Sequence, residues 1–378
     1  MAEQKLPEAE TDAPPLAEAG EIIEVEGSWE EVNAHFFAQN WTDGLPIVPP
    51  TEARVLAMTD YVEGRLGLHK EEQVGVLQPR NGEATVEKIA VNAVMAGCKK
   101  EYMPLLIATV RGMAAPEFNL FAVQTSTHNT SVFTLVNGPL REELDINWGY
   151  NTVGSRWQST VTIGRAIRLA MTNIGGIGGA TNLHTQGHIG RFEHCVAENE
   201  GENPWEPLHV ERGFGSGEST VTIFAACPAM MIDENSGSRT AEDLLNTFAH
   251  SVAYVGNRNT NGEGEPLIVL CPTHARQLAR GGYSKNDFKQ FLWENARVPL
   301  EHFPLGNLDN FSKRYRSLYC GEGGPAAVPI ADSPDDIAVV VMGGQGTHSL
   351  SVQTLLGSRS QTVPVPVPIA GKGGRPLP

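Results

Sequence analysis

Two short, uninterrupted apolar runs restrict the fold of this chain more than any other feature: Leu267 to Leu270 (LIVL) and Ile337 to Val341 (IAVVV). Each is too short for a helix of ordinary length, is rich in β-branched residues, and stops near a Cys-Pro or Gly-Gly pair. A strand that is apolar on both faces has to be covered on both, which calls for helices packed on a sheet. The helical patterns THARQLAR and SKNDFKQFLWENAR follow the first run directly. These features predict an α/β protein with a mixed sheet and flanking helices.

The other elements fit that class. Ser28 is an N-cap for SWEEVNAHFFAQN, prolines hold LPIVPPT extended, and Thr51 opens a second helix. PLLIATVRGMA and Ser159 to Asn173 carry helical periodicity, Thr240 to Ala253 opens with the start signature T-A-E-D, and Glu218 to Ala226 reads as a strand. LFAVQTS and SVFTLVN read as the two strands of a hairpin with His128 in its turn. At 378 residues the chain exceeds one small core, since domains usually hold roughly 100–200 residues. The expected organisation is a disordered acidic tail over 1–27, an N-terminal α/β lobe over 28–150, a C-terminal α/β lobe with the site over 151–362, and an extended Pro-rich arm over 363–378.

A net charge of −16 disfavours nucleic acid and anionic membrane surfaces, which are bound through basic patches. No window offers the roughly 20 apolar residues of a bilayer span. The start MAEQKLPEAETDAPP lacks the apolar core of a signal peptide, and five cysteines without a CxxC suit free thiols in a reducing compartment. The expectation is a cytoplasmic protein with a small-molecule partner.

Ionisable residues crowd between Gly187 and Phe214, GHIGRFEHCVAENEGENPWEPLHVERGF. Cys195 beside an imidazole can act as nucleophile or soft metal ligand, with His188 and His209 as proton carriers and Glu198 orienting an imidazole or moving a proton. In an extended WEPLHVERGF, His209 and Glu211 share one face while Arg212 takes the other and clamps a substrate carboxylate, between walls from Trp205 and Phe214. Cys98 is a second candidate thiol, because Lys99 and Lys100 would lower its pKa at a helix cap. Asn199, His128 in STHNTS and His348 in GGQGTHS are candidate substrate contacts. His184 and His188, four apart, with His194 beyond them, suggest a divalent-metal site, against which Gly187 and Gly190 disfavour a regular helix. Walker, dinucleotide and nucleophile-elbow motifs are missing, which disfavours nucleotide binding.

Five phrases, DGLPIVPPT (Asp43 to Thr51), NAVMAGC (Asn92 to Cys98), ENPWEPLHVERGF (Glu202 to Phe214), LCPTHARQLAR with YSKNDFKQFLWENAR, and GGQGTHS, resemble a large bacterial family described around a UGSC motif, or its companion domain. In that family selenocysteine or cysteine is taken as the reactive atom, and relatives are proposed to act like organomercurial lyases. The resemblance covers most of the chain after the tail and is most specific in ENPWEPLHVERGF. It implies that the family's histidine, glycine, cysteine and Glu-Asn pattern falls on His188, Gly190, Cys195, Glu198 and Asn199. The family's Gly-Ser-Cys does not occur in this sequence, and Ala96-Gly97-Cys98 is a partial likeness.

The expected function is a lyase-like enzyme that cleaves or forms a carbon–heteroatom bond in a small anionic molecule through Cys, His and Glu chemistry. The cofactor is left open, and the histidines and Cys195 support a metal-dependent hydrolase or hydratase as the alternative. A non-catalytic subunit is a third reading, and the C-terminal arm suggests a homo-oligomer.

Overall fold

The computed structural model describes residues 23–154, 156–178, 184–187, 193–234, 237–261, 264–304 and 327–366. Helices α1 (Trp29–Ala38) and α2 (Glu52–Leu66) precede a two-stranded ribbon of β1 (Gln73–Leu77) and β2 (Gly82–Thr85). Helices α3 (Val86–Ala96), α4 (Met103–Ala114) and α5 (Leu120–Thr125) lead to β3 (Ser131–Asn137); α6 (Leu140–Glu143) and α7 (Gln158–Asn173) lead to β4 (His194–Ala197). A single helical turn, α8 (Leu208–Glu211), precedes the long β5 (Thr220–Asp233). Then come α9 (Ala241–Val252), β6 (Leu267–Leu270), α10 (Pro272–Arg280) and α11 (Lys285–Asn295). The small pair β7 (Arg297–Pro299) and β8 (Ala327–Pro329) is followed by β9 (Ala338–Val341), β10 (His348–Thr354) and β11 (Gln361–Pro364). Capping boxes at Ser28, Thr240 and Ser284 satisfy the first N–H groups of α1, α9 and α11.

The main sheet runs β4-β3-β5-β10-β6-β9, with β11 also on β5. β3–β4 and β6–β9 are parallel and the other pairs antiparallel, so the sheet is mixed, as its class requires. One sheet draws β3 from before residue 150 and its neighbours from after it.

Side chains alternate faces along each strand. Val132 and Val136 of β3, Cys195 and Ala197 of β4, and Val221, Ile223 and Ala225 of β5 pack with α3, α4 and α7. Ile268 and Leu270 of β6 and Val339 and Val341 of β9 pack with α9, α10 and α11. The alternate residues, among them Phe133, Leu135, Val196, Phe224, Val269 and Val340, form a third cluster whose only helical member is Leu208. The sheet therefore curls around its own apolar interior, with helices outside. Its end strands meet where Asn199 N donates to Val341 O at 2.7 Å, just past β4 and at the end of β9.

Helix α7 lies so close on the chain entering β4 that a Cβ on Gly164 would collide with the Glu193 carbonyl. Gly164→Ala forces backbone apart there and is expected to cost about 1–3 kcal/mol. The check is a lower urea midpoint with an unchanged slope.

Two expectations need correction. LFAVQT is helix α5, not a hairpin strand: Asn119, in the left-handed region at φ 53°, caps it by accepting from Ala122 N, and Leu120, Val123 and Gln124 are buried at helical spacing. Antiparallel pairing comes instead from β3 on β5. WEPLHVERGF is not extended, since Pro207 starts the turn of α8.

β5 serves both helical layers by means of a bulge. Its register with β10 passes from Thr354 opposite Ala226 to Val352 opposite Ala229, so Cys227 and Pro228 face Gln353 alone. Proline has no N–H for a ladder and is tolerated at such a point. Before the bulge Ile223 and Ala225 pack with α4 and α7; after it Ile232, of the opposite parity, packs with α9.

Candidate functional site

Most of the residues singled out between Gly187 and Phe214 have protein partners that close the sheet. The Glu198 carboxylate is fully buried and accepts from Asn137 Nδ2 (2.7 Å), Leu208 N (2.9 Å), Asn203 Nδ2 (2.9 Å) and Val341 N (3.5 Å). Burial pushes its pKa up, while the Lys285 charge, the Leu208 N–H and the Asn137 amide pull it down. Four N–H donors and no acceptor favour the ionised form. Asn199 Nδ2 donates to Gly343 O, and Trp205 Nε1 to Tyr283 O. Against the push of burial, Lys285 and Lys289 of α11 hold Glu211 below the ordinary carboxylate range. The Arg212 guanidinium donates to Thr362 Oγ1 and Ser360 Oγ and lies over Phe224, so it fastens β11 to the sheet. His209 is buried beside the backbone of Gly215 and Ser216, and burial lowers its pKa. These groups fold inward onto one another and onto backbone, except that both ring nitrogens of His209 are buried without a hydrogen-bond partner among the described residues.

The thiols are corrected on the same ground. Cys195 points outward from β4 into the core beneath the helices, and burial raises its pKa far above the ordinary thiol value. Cys98 follows the C-terminus of α3 rather than capping an N-terminus; its Sγ donates to Thr162 O, and burial pushes its pKa up to about 12. Both are protonated at neutral pH, and a thiol without thiolate is a poor nucleophile. Iodoacetamide at pH 8 is expected to leave Cys98 and Cys195 unmodified in the native protein and to label both in denaturant, read by peptide mass spectrometry.

His188 lies outside the described residues. His194 packs on the Phe133 ring, with burial lowering its pKa. His348 pairs with Asp233 at the exposed end of β10. Among the described residues no three His, Cys, Asp or Glu side chains are placed to share a metal ion, and no helix is long and apolar enough to cross a membrane.

Two of the expected residues do come together, at the β5 bulge. After α5 the chain turns through His128, held by Thr130 N to His128 O (3.0 Å) and Thr130 Oγ1 to Val123 O (2.8 Å). The loop carrying His184 is stitched to it: His184 Nε2 lies 3.2 Å from the same Val123 O, and Thr185 N donates to Thr127 O. Arg258 arrives from the other side on a short 3-10 turn, Arg258–Asn261. Its backbone N donates to Gln353 Oε1 at 2.7 Å, opposite the bulge, and Asn259 ties the same turn to Thr354.

The polar atoms gathered there are unmatched. Arg258 Nε, His128 Nδ1 and Ser126 Oγ are buried without a hydrogen-bond partner among the described residues. Burial, then the Arg258 charge and His184, lower the His128 pKa. Burial also lowers that of His184, against its bond to the Val123 carbonyl. Burial pushes the Cys227 thiol up to about 11 and depresses Arg258 below its ordinary value. At neutral pH the group is therefore one cation, two neutral imidazoles and a neutral thiol. No carboxylate pairs with Arg258 among the described residues, whereas nearby Arg168 is matched by the buried Glu193. A half-buried guanidinium lacking an anion is costly unless a ligand supplies one.

Arg258 and Cys227 were not among the residues expected from sequence. A proline inside a β-like run, Cys227-Pro228, is a local signal for a bulge. Arg258, in the polar stretch RNTN, carries no signal of its own. Comparison with protein-family models, with curated proteins and with solved structures finds no match to this chain.

Proposed function

We propose that this protein is an enzyme acting on a small anionic molecule, with its site at the β5 bulge. One observation carries the reading: the Arg258 guanidinium, half-buried and without a carboxylate partner among the described residues, lies near the His128 imidazole, which has His184 beside it, and burial keeps both imidazoles neutral. Arg258 holds a substrate carboxylate or phosphate by charge-assisted hydrogen bonds. His184 Nε2 carries its proton toward Val123 O, so Nδ1 keeps the lone pair; among the described residues His128 Nδ1 has no partner.

This arrangement supports cleavage or formation of a carbon–heteroatom bond. An imidazole takes the proton from the carbon beside the substrate carboxylate. The released electron pair forms a carbon–carbon double bond as the bond to a heteroatom on the next carbon breaks. The imidazolium then returns its proton to the leaving heteroatom, and addition is the reverse. The buried state of Cys98 and Cys195 favours this proton shuttle over the thiol chemistry implied by the resemblance to the UGSC-motif family.

The test is thermal unfolding with inorganic phosphate and with small mono- and dicarboxylates. A ligand at ten times its Kd adds about 1.4 kcal/mol, a shift of roughly 2 °C for a chain of this length. That shift is expected in the wild type and not in Arg258→Gln. Equal stabilisation of both would place the anion elsewhere and remove the proposal.

A further inference from the structure

Exposed apolar residues flank the bulge and precede the turn that bears Arg258. Met230 and Met231, just past the bulge, and Val255, three residues before Arg258, are 41%, 57% and 42% exposed. Met230 is linked to the Arg258 backbone by a short chain of hydrogen bonds. Gln353 Oε1 accepts from Arg258 N, Gln353 Nε2 donates to the Tyr254 hydroxyl, and that hydroxyl donates to Met230 Sδ. One side-chain amide thus fixes the turn bearing Arg258 at one end and the Tyr254–Met230 pair at the other. Tyr254 is held by its hydroxyl, which leaves its ring to pack, and methionine adapts to varied apolar shapes.

Resting on the anion site proposed above, we infer that its ligand is an organic anion with an apolar chain, the charged head on Arg258 and the chain over Tyr254 and Met230. The observation behind this is continuity. A site for a bare inorganic anion needs only the guanidinium and its polar surroundings. The exposed Met230, held through Tyr254 and Gln353 to the backbone turn that bears Arg258, offers apolar area that only a ligand with a hydrocarbon body would cover.

The experiment is calorimetric titration of the full chain with inorganic phosphate, acetate, butyrate and hexanoate. Each methylene that reaches the apolar strip should tighten binding about threefold to fourfold. Hexanoate should therefore bind at least about tenfold more tightly than acetate. Met230→Ser, at an exposed position where folding is undisturbed, should shrink the hexanoate-to-acetate ratio. Hexanoate no tighter than acetate, with both requiring Arg258, overturns the inference and leaves the anion site standing. A ratio unchanged in Met230→Ser also overturns it. Binding indifferent to Arg258→Gln, or no binding by any of the four, removes the anion site and the inference together.

Discussion

Glu198→Ala is expected to leave the protein largely unfolded at 37 °C. The substitution leaves Leu208 N and Val341 N without the Glu198 acceptor and removes one of the two acceptors of Asn137 Nδ2 and of Asn203 Nδ2, which keep Glu200 Oε1 and Glu206 O, all around a fully buried carboxylate. A buried donor left without a partner costs about 1–3 kcal/mol. Leu208 N and Val341 N together account for about 2–6 kcal/mol, and the cavity left by the side chain adds to that, against the roughly 5–15 kcal/mol that holds an ordinary domain folded. Position makes the loss worse, because Glu198 and Asn199 join β4 to β9 and so complete the curl around the Phe133–Val340 interior. Glu198→Gln keeps the shape and one acceptor oxygen but turns an NH2 toward two of the donors, so an intermediate loss is expected. Urea midpoints followed by far-UV circular dichroism decide the matter. A wild-type midpoint for Glu198→Ala would show that the sheet closes without this carboxylate.

The second large effect is at Arg258. Two charge-assisted hydrogen bonds, each worth about 1.5–3 kcal/mol, hold the anion, so Arg258→Gln should weaken binding by about a hundredfold or more. The pH dependence has a definite sign. In the free site burial holds His128 and His184 below their ordinary value, so both stay neutral until the solution is more acidic than that value. A bound anion favours the imidazolium and raises both pKa values. Binding then takes up protons, and affinity rises as pH falls through the window between the bound and free values, levelling off below the latter. Titrations at pH 7.5, 6.5 and 5.5, in buffers of different ionisation enthalpy, measure this uptake. His128→Asn should reduce it. Affinity that falls on acidification would show that the imidazoles do not face the anion.

Much of the fold was legible in the sequence where the cause is local. Ser28, Thr240 and Ser284 cap α1, α9 and α11 because a side-chain oxygen reaches a backbone N–H only three residues on. LIVL and IAVVV became β6 and β9 because only a strand covered on both faces hides four or five successive apolar side chains. LFAVQT misled because six residues carry too little pattern to separate periods of 2 and 3.6, and the decisive signal was the cap Asn119 just before it.

The site was less legible for a different reason. The polar crowding between Gly187 and Phe214 is real, but ionisable groups crowd equally where a sheet is clamped shut and where a substrate is held. Arg212 and Arg258 look alike as residues in polar surroundings. One donates to Thr362 and Ser360, whereas the other has its Nε buried without a partner among the described residues.

By itself the sequence determined the α/β class, the caps and the apolar strands, since these depend on neighbours within one turn or one pleat. Tertiary structure alone decided which charges are answered. Glu198 meets Val341 across 143 residues of chain and Arg258 meets Gln353 across 95, and electrostatic balance at such separations is set by where the backbone returns, which local pattern does not encode.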